Sequence, residues 1–435
     1  MAGARGLRRF LTPVLRLIAK TFFRRIEIVG WEKVPRGPVI FAANHPNGLI
    51  DPLFLLCFVP RPVSFLAKAP LFKMPLIGWF ARGIDSIPVY RTQDNYSTSQ
   101  NRGMFAAARA LLVRGGAIAL FPEGTTHSEP QLKELKTGAA RIALGCSAEG
   151  CPDIVIVPTA VFYTAKHSFR SDALLYFGEG VNVVPAVVDE NGEPPRDAVA
   201  ALTDRVESAL TALTLQADSR EALDLIGRAE RIMSLGRSDL PEQLEMRRRF
   251  IAGYTQLRER DPQRLAQLQS RFERFEAELG DANLQPETLP RPSVRGSIRT
   301  IAMLLITFPL ALIGAIVHYP TYQLIRFVAT RFTSGQELVA TTKAVGGLAL
   351  YPLTYIVCGS IVGWRFGIAY GVLTTLVLPF LGYIAMRFFE QLDDVIGRTR
   401  ALTWRIARRS AFERLMRTRG ALRDEIIALA EEMGV

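Results

Sequence analysis

In the stretch FAANHPNGLIDPLFL, His45 and Asp51 are a histidine and a carboxylate able to work as a base and its orienting partner. Five residues separate them. On a continuous helix six positions advance roughly 600°, two-thirds of a turn past a full one, so the side chains would diverge. A turn must therefore bring them together. Pro46 biases His45 away from the αR region, Asn47-Gly48 is a turn dipeptide, and a helix beginning near Leu49 would carry Asp51 in its first turn. There the carboxylate can hold His45 Nδ1–H and leave Nε2 free, so that a neutral imidazole acts as general base and Asp51 stabilises the imidazolium that forms. On this stretch alone, a capped helix beside a hydrogen-bonded loop histidine fits equally well.

Other loops add to the set. LFPEGTTHSE places Glu123, Gly124, Thr125 and Thr126 directly after an apolar run. Glycine with two hydroxyl residues lets N–H and O–H donors converge on an anion, and Glu123 can accept from a substrate hydroxyl; the same residues also suit a plain turn and helix cap. IPVYR ends another apolar run with Arg91, and LAKAPLF offers Lys68, both cations suited to a phosphate. Taken singly, each fits a surface ion pair as well. His127 and His167 look isolated, and His318 lies inside an apolar span. Nucleophile-elbow, Walker and dinucleotide motifs and metal-ligand clusters are absent from the sequence. A base with a carboxylate and a set of cations points to activating a hydroxyl on a phosphorylated, lipid-related acceptor.

The elements that must position these residues follow from the apolar pattern. GPVIFAANHP, GGAIALFPEG and PDIVIVPTAVFY predict buried strands ending in polar loops, and NRGMFAAARALLVRGG and LKTGAARIALGCSAEG predict helices closed by glycine. This is an α/β layout, in which ligands bind beyond the strand ends. Residues 216–290 change to dense charges of both signs on helical spacing, a helical insert or hairpin, and NLQPETLPRPSVRG reads as a proline-rich linker. Of the 435 residues 49% are hydrophobic, concentrated at 300–325 and 344–386. The first of these segments is long enough to cross a bilayer. The second suits two crossings with Trp364-Arg365 at the turn, or a hairpin dipping into one leaflet.

Net charge is +12 and the pI about 9.8, which beside apolar spans suits an anionic membrane and not nucleic acid. The first residues form a basic amphipathic pattern that reads as a helix lying on a membrane, and the arginine-rich tail suits either anionic lipid or solvent. Four cysteines without paired spacing predict free thiols in a reducing compartment. The expected divisions are a membrane-surface helix over 1–28, a catalytic domain over 29–215, a charged helical insert and linker over 216–296, membrane helices over 297–388 and an arginine-rich helix over 389–435.

The ordered blocks NHPNGLID, KAPLFKMPLIGWFARGIDSIPVYR, FPEGTTHSE and IVPTAVFY resemble the four blocks of the glycerol-phosphate and lysophosphatidic acid acyltransferase superfamily. The resemblance covers the α/β part and implies a mixed sheet flanked by helices, with the helical insert and membrane helices following. It implies His45 as the base that deprotonates a glycerol hydroxyl for attack on the thioester of acyl-CoA or acyl carrier protein, with Asp51 orienting it. Arg91, assisted by Lys68, would hold the acceptor phosphate; Glu123, Gly124 and Thr125 would complete the acceptor site, and Pro158 would shape the wall near the acyl donor. Neither a cofactor nor a metal is expected. Five residues between His45 and Asp51, where four are common, together with KHSFRSDALLYFGEGV, resemble the fungal-type glycerol-3-phosphate/dihydroxyacetone-phosphate branch. The expectation is a membrane-bound O-acyltransferase acting on glycerol 3-phosphate, its catalytic domain on the cytoplasmic side of a membrane, with arginine and alanine usage favouring a bacterial inner membrane. The alternatives are 1-acylglycerol-3-phosphate acylation and a non-catalytic lipid-binding scaffold.

Overall fold

The computed structural model describes residues 2–434 except 98, 99, 128, 167, 191, 234–238, 285, 287, 288, 290–293, 332, 334 and 335. It divides into one unit of residues 1–216 with 334–341, and a second of 217–333 with 342–435.

The first unit is built on a sheet in the order β1 (Arg25–Val29), β7 (Asp172–Phe177), β6 (Val155–Tyr163), β2 (Val39–Ala43), β5 (Ala117–Leu120), β3 (Ser64–Lys68), β4 (Ile87–Val89), with β8 (Val181–Asn182) also pairing β6. Strands β6, β2, β5, β3 and β4 are mutually parallel, whereas β7 and β8 run antiparallel to β6. The central strands read as unbroken apolar runs because both faces are covered. Alternate residues of each strand serve opposite faces. Ile40, Ala42, Ile118 and Ile156 meet α4 (Asn101–Val113), α5 (Gly138–Ala148) and α6 (Arg196–Leu213) through Ala108, Leu112, Ile142 and Leu210. Phe41 points the other way, onto Phe177 at 5.8 Å between ring centres. Each of Ile40, Ile118 and Ile156 has no exposure, worth about 1.5–3 kcal/mol apiece.

Pro158 sits within β6 opposite Ala42 of β2. Its missing N–H is tolerated there because the antiparallel partner changes at that point, from β8 at Val155–Ile156 to β7 from Thr159 onward.

The N-terminal helix α1 covers Ala2–Phe22 and not 1–28, because Arg25–Val29 pairs with β7 as a strand. It is also docked. Ala19, Phe22 and Phe23 are buried, Arg16 Nε donates to Cys57 O at 2.6 Å in α2 (Ile50–Phe58), and Arg8 donates to Ile84 O just past α3 (Pro75–Gly83). Val14 and Leu17 stay exposed, at 44% and 67%.

In the second unit the charged insert is three helices and not a hairpin: α7 (Arg220–Met233), α8 (Leu240–Arg260) and α9 (Pro262–Ala282). The linker expected over 283–296 lies partly outside the described residues, and its end belongs to α10 (Val294–Arg331). Next come α11 (Gln336–Phe366), α12 (Ile368–Ala407) and α13 (Arg409–Met433). The turn between α11 and α12 falls at Gly367, with φ +105°, leaving Trp364-Arg365 in the last turn of α11. The boundary expected at 388 falls inside α12, which runs on without a break. The tail does not spread its apolar face on lipid: Phe412, Leu415, Leu422 and Leu429 of α13 are buried against Phe272, Phe275 and Leu279 of α9.

Among the described residues, three helices are long and apolar enough to cross a membrane, over Arg299–Arg331, Thr341–Phe366 and Ile368–Ala407. Leu305, Ile306 and Ile368 point outward, 72%, 78% and 82% exposed, as side chains facing hydrocarbon do. Glycines let these helices approach closely. A Cβ at Gly371 would lie 2.6 Å from Gly359 O and 2.8 Å from Gly363 Cα. Gly371→Leu is therefore expected to lower the apparent Tm in detergent by several degrees, a cost of about 1–3 kcal/mol. Gly420→Ala, in α13 with no atom within 4 Å of the added carbon, should leave it unchanged or slightly raised; equal Tm values for the two variants would overturn this account of the packing.

Candidate active site

Because β2, β5, β3 and β4 are parallel neighbours, the residues that follow them emerge at one edge of the sheet. His45 follows β2, Phe121 to Thr125 follow β5, Lys68 ends β3 and Arg91 follows β4. Ligands of such sheets bind at this edge.

The turn after β2 has the predicted form. Gly48 adopts φ +38°, Asn47 O accepts from Ile50 N at 2.9 Å, and α2 starts at Ile50 with Asp51 in its first turn. A carboxylate is favoured there by the helix dipole. His45 Nδ1 lies 2.8 Å from Asp51 Oδ2, the imidazole being 15% exposed and the carboxylate not at all. Asn47 N–H donates to the same oxygen at 2.7 Å. Tyr163 O–H, at the end of β6, donates to Asp51 Oδ1 at 2.7 Å. Burial, then the Asp51 charge and bond, push the Tyr163 phenol well above its ordinary pKa, so it stays a donor. The imidazole lies flat on Phe121, 4.0 Å between ring centres and 15° between planes. Its Nε2 has no hydrogen-bond partner among the described residues.

Glu123 is placed differently from a substrate acceptor. Its side chain is 1% exposed. Oε1 accepts from His45 N–H at 2.9 Å, and Oε2 from Lys133 N–H at 3.0 Å and from His127 Nε2. Its oxygens thus hold the loop after β2, and His127 is not isolated. Burial pushes the Glu123 carboxyl up, but the His127 bond and charge and the two amide donors outweigh it and hold the group below the usual range.

Arg91 is engaged as well. Nε and Nη2 bond both oxygens of Asp94, at 2.7 and 3.0 Å, and Nη1 donates to Gly124 O at 2.7 Å. The Arg91 bond, against slight burial, holds the Asp94 carboxyl low, with Arg91 and Lys68 charges helping. Gly124 takes φ +71°, which turns its carbonyl to Arg91. Lys68 and Thr125 are exposed at this edge, and Pro158 is buried in β6. His45 and Asp51 are thus brought together, Glu123 joins them through the His45 backbone, and Arg91, Asp94 and Gly124 form a second cluster. His167 lies outside the described residues. Sequence reasoning missed Phe121, Tyr163, His127 and Asp94. For Asp94, an acid three residues after Arg91 in a short turn was a readable signal; Tyr163 is 112 positions from Asp51 and gave none.

Among the described residues no group of three or more His, Cys, Asp or Glu is arranged to hold a metal ion. The arrangement can take a proton from a hydroxyl at His45 Nε2, with the resulting charge shared by the buried carboxylate. It is an arrangement suited to activating a hydroxyl at the edge of a mixed α/β sheet.

Residues 25–162 match the acyltransferase family model, and residues 234–434 match the model of the glycerol-3-phosphate acyltransferase 2 C-terminal domain. An uncharacterised acyltransferase of Schizosaccharomyces pombe is 25% identical over 89% of this chain and 75% of its own length. Glycerol-3-phosphate O-acyltransferase 1 of Saccharomyces cerevisiae is 27% identical over 79% of this chain and 60% of its own. A 1-acyl-sn-glycerol-3-phosphate acyltransferase of Chlamydomonas reinhardtii is 28% identical over 34% of this chain and 43% of its own. Both family models and these relatives support the resemblance to the glycerol-phosphate and lysophosphatidic acid acyltransferase superfamily and, within it, to the fungal glycerol-3-phosphate acyltransferases.

The Glu123 contacts carry a pH signature. A carboxyl whose folded pKa is depressed adds stability that is complete above its unfolded pKa, about 4.3, and is lost as pH falls through the lower folded value. Glu123→Gln is therefore expected to cost about 1–3 kcal/mol near neutrality, with the Tm gap to wild type closing below about pH 4. A gap that stays constant from pH 7 to pH 3 would refute the depressed carboxyl.

Proposed function

We propose that this chain is a membrane-bound O-acyltransferase that moves a fatty acyl group from acyl-CoA or acyl carrier protein to glycerol 3-phosphate, the first acylation of phospholipid synthesis. The observation that carries it is the imidazole held by a fully buried carboxylate through Nδ1 while Nε2 remains without a partner. His45 Nε2 takes the proton of the glycerol hydroxyl as its oxygen attacks the thioester carbonyl. The tetrahedral intermediate collapses, the C–S bond breaks, and the thiolate leaves as a thiol with the proton returned from His45. The protein forms no covalent acyl intermediate in this route, which uses neither a cofactor nor a metal.

The acceptor phosphate is taken by Arg91 with Lys68 nearby, in competition with Asp94. Gly124 and Thr125 border this position, and Pro158 lies in the wall toward the acyl donor. Glu123 serves by fixing the His45 backbone. Glycerol 3-phosphate is favoured over its 1-acyl derivative by the second family model, which covers residues 234–434, and by the yeast relative matched over 79% of this chain. The three apolar helices support a membrane setting. Four cysteines free of disulfides fit a catalytic unit facing a reducing cytoplasm, and the arginine-rich composition fits the inner membrane of a bacterium. The basic excess has anionic lipid, not nucleic acid, as its partner.

The test is thiol release from acyl-CoA or acyl carrier protein by purified protein in detergent, offered glycerol 3-phosphate or 1-acylglycerol 3-phosphate. His45→Ala should lower turnover by about 10²–10⁴, and Arg91→Ala should raise the KM for the acceptor about tenfold or more with a smaller change in kcat. Release with only the 1-acyl acceptor would reassign the step to the second acylation. Lipid binding without thiol release from either donor would make the chain a scaffold, and undiminished turnover in His45→Ala would remove the base.

A further inference from the structure

Tyr163 touches no group that the reaction above uses directly, yet it supplies one of three donors to the Asp51 carboxylate. The other two share Oδ2, so Tyr163 holds Oδ1. A carboxylate bonded through one oxygen can rotate about its Cβ–Cγ bond and exchange its oxygens; one bonded through both cannot without breaking bonds.

The tyrosine is itself fixed. Its ring stacks on Phe23, 5.4 Å between centres and 15° between planes, and meets Phe54 at 6.3 Å. Its backbone is held in β6 opposite Ala173 of β7. Among the described residues the titratable groups bonded to Asp51 are His45 from its own loop and Tyr163 from β6; Phe23, just past α1, and Phe54 of α2 meet the tyrosine, and Phe121, just past β5, meets the imidazole. Glu123, the remaining acid close by, reaches His45 through its backbone N–H.

We propose that Tyr163 is a positioning residue for the acyl transfer. By occupying Oδ1 of Asp51 it fixes the carboxylate that orients His45 and draws off part of its negative charge. This rests on the reading of His45 as the base. The alternative is that the hydroxyl merely satisfies a buried acceptor.

Titrating the imidazole separates the two without turnover. The chain has four histidines, so ¹³C-histidine labelling of the full-length protein in detergent gives few resonances, and His45→Ala assigns the one required. Tyr163→Phe keeps the ring and removes the donor. Its His45 titration is expected to move upward by about 0.5 pH unit or more, part of the worth of a bond to a charged group. The acid limb of kcat/KM should follow, and kcat should fall about tenfold. A titration unmoved or moved downward overturns the proposal, whatever the activity does. A shifted titration with no acyl transfer by wild type would leave the coupling standing and refute the reaction. Should Tyr163→Phe fail to fold, Phe23→Leu, which loosens the ring and keeps the hydroxyl, carries the same test with a smaller upward shift, and an unmoved titration there overturns the proposal as well.

Discussion

The carboxylate of Asp51 has no contact with water, and the surrounding site is organised by the need to keep that charge inside the fold. Several kcal/mol oppose the burial of an unpaired carboxylate. The opposition is met from three directions: the imidazole and an amide of its own loop, the phenol of β6, and the start of α2. Each source belongs to a different element, so the carboxylate ties the loop after β2 to the end of β6 as firmly as it orients His45. Removing the Tyr163 hydroxyl leaves Oδ1 a buried acceptor without its donor.

Glu123 performs the same service one strand away. It is a second buried acid whose oxygens accept only from the protein, and one of them holds the backbone of His45. His45 is therefore gripped twice, at its ring through Asp51 and at its main chain through Glu123, while Phe121 supports the face of the ring. The cations contrast with this rigidity. Arg91 is paired through Nε and Nη2 with both oxygens of Asp94, an acid on the same short turn. Any ligand of this guanidinium must better a carboxylate that is already in place.

Much of this was legible in the sequence because the information was local. Strands β2, β5 and β6 were readable as uninterrupted apolar runs, and the meeting of His45 with Asp51 followed from Pro46, Asn47 and Gly48. The contacts that escaped were of two kinds. Tyr163 reaches Asp51 across the sheet, and no periodicity within β6 marks which of its residues will face a buried acid. The protein donors of Glu123 were not legible because a carboxylate after a strand looks the same in sequence whether its lone pairs point to a ligand or to three protein donors. Helix limits failed for a related reason: the charges after Phe388 suggested a new element, although the backbone of α12 has no cause to stop until Arg408.

That uninterrupted α12 joins two environments in one rod. At 1.5 Å per residue its 40 residues reach about 60 Å, roughly twice the hydrocarbon thickness of a bilayer. Its first half is apolar and faces outward, whereas Ala401 near its far end is packed with α9 and α13. Helices answer changes in bilayer thickness by tilting. On a lever of about 30 Å beyond the hydrocarbon, a tilt of about 10° carries the far end sideways by about 5 Å. Were the apolar half to span a bilayer, the thickness of that bilayer would bear on the position of the charged helices.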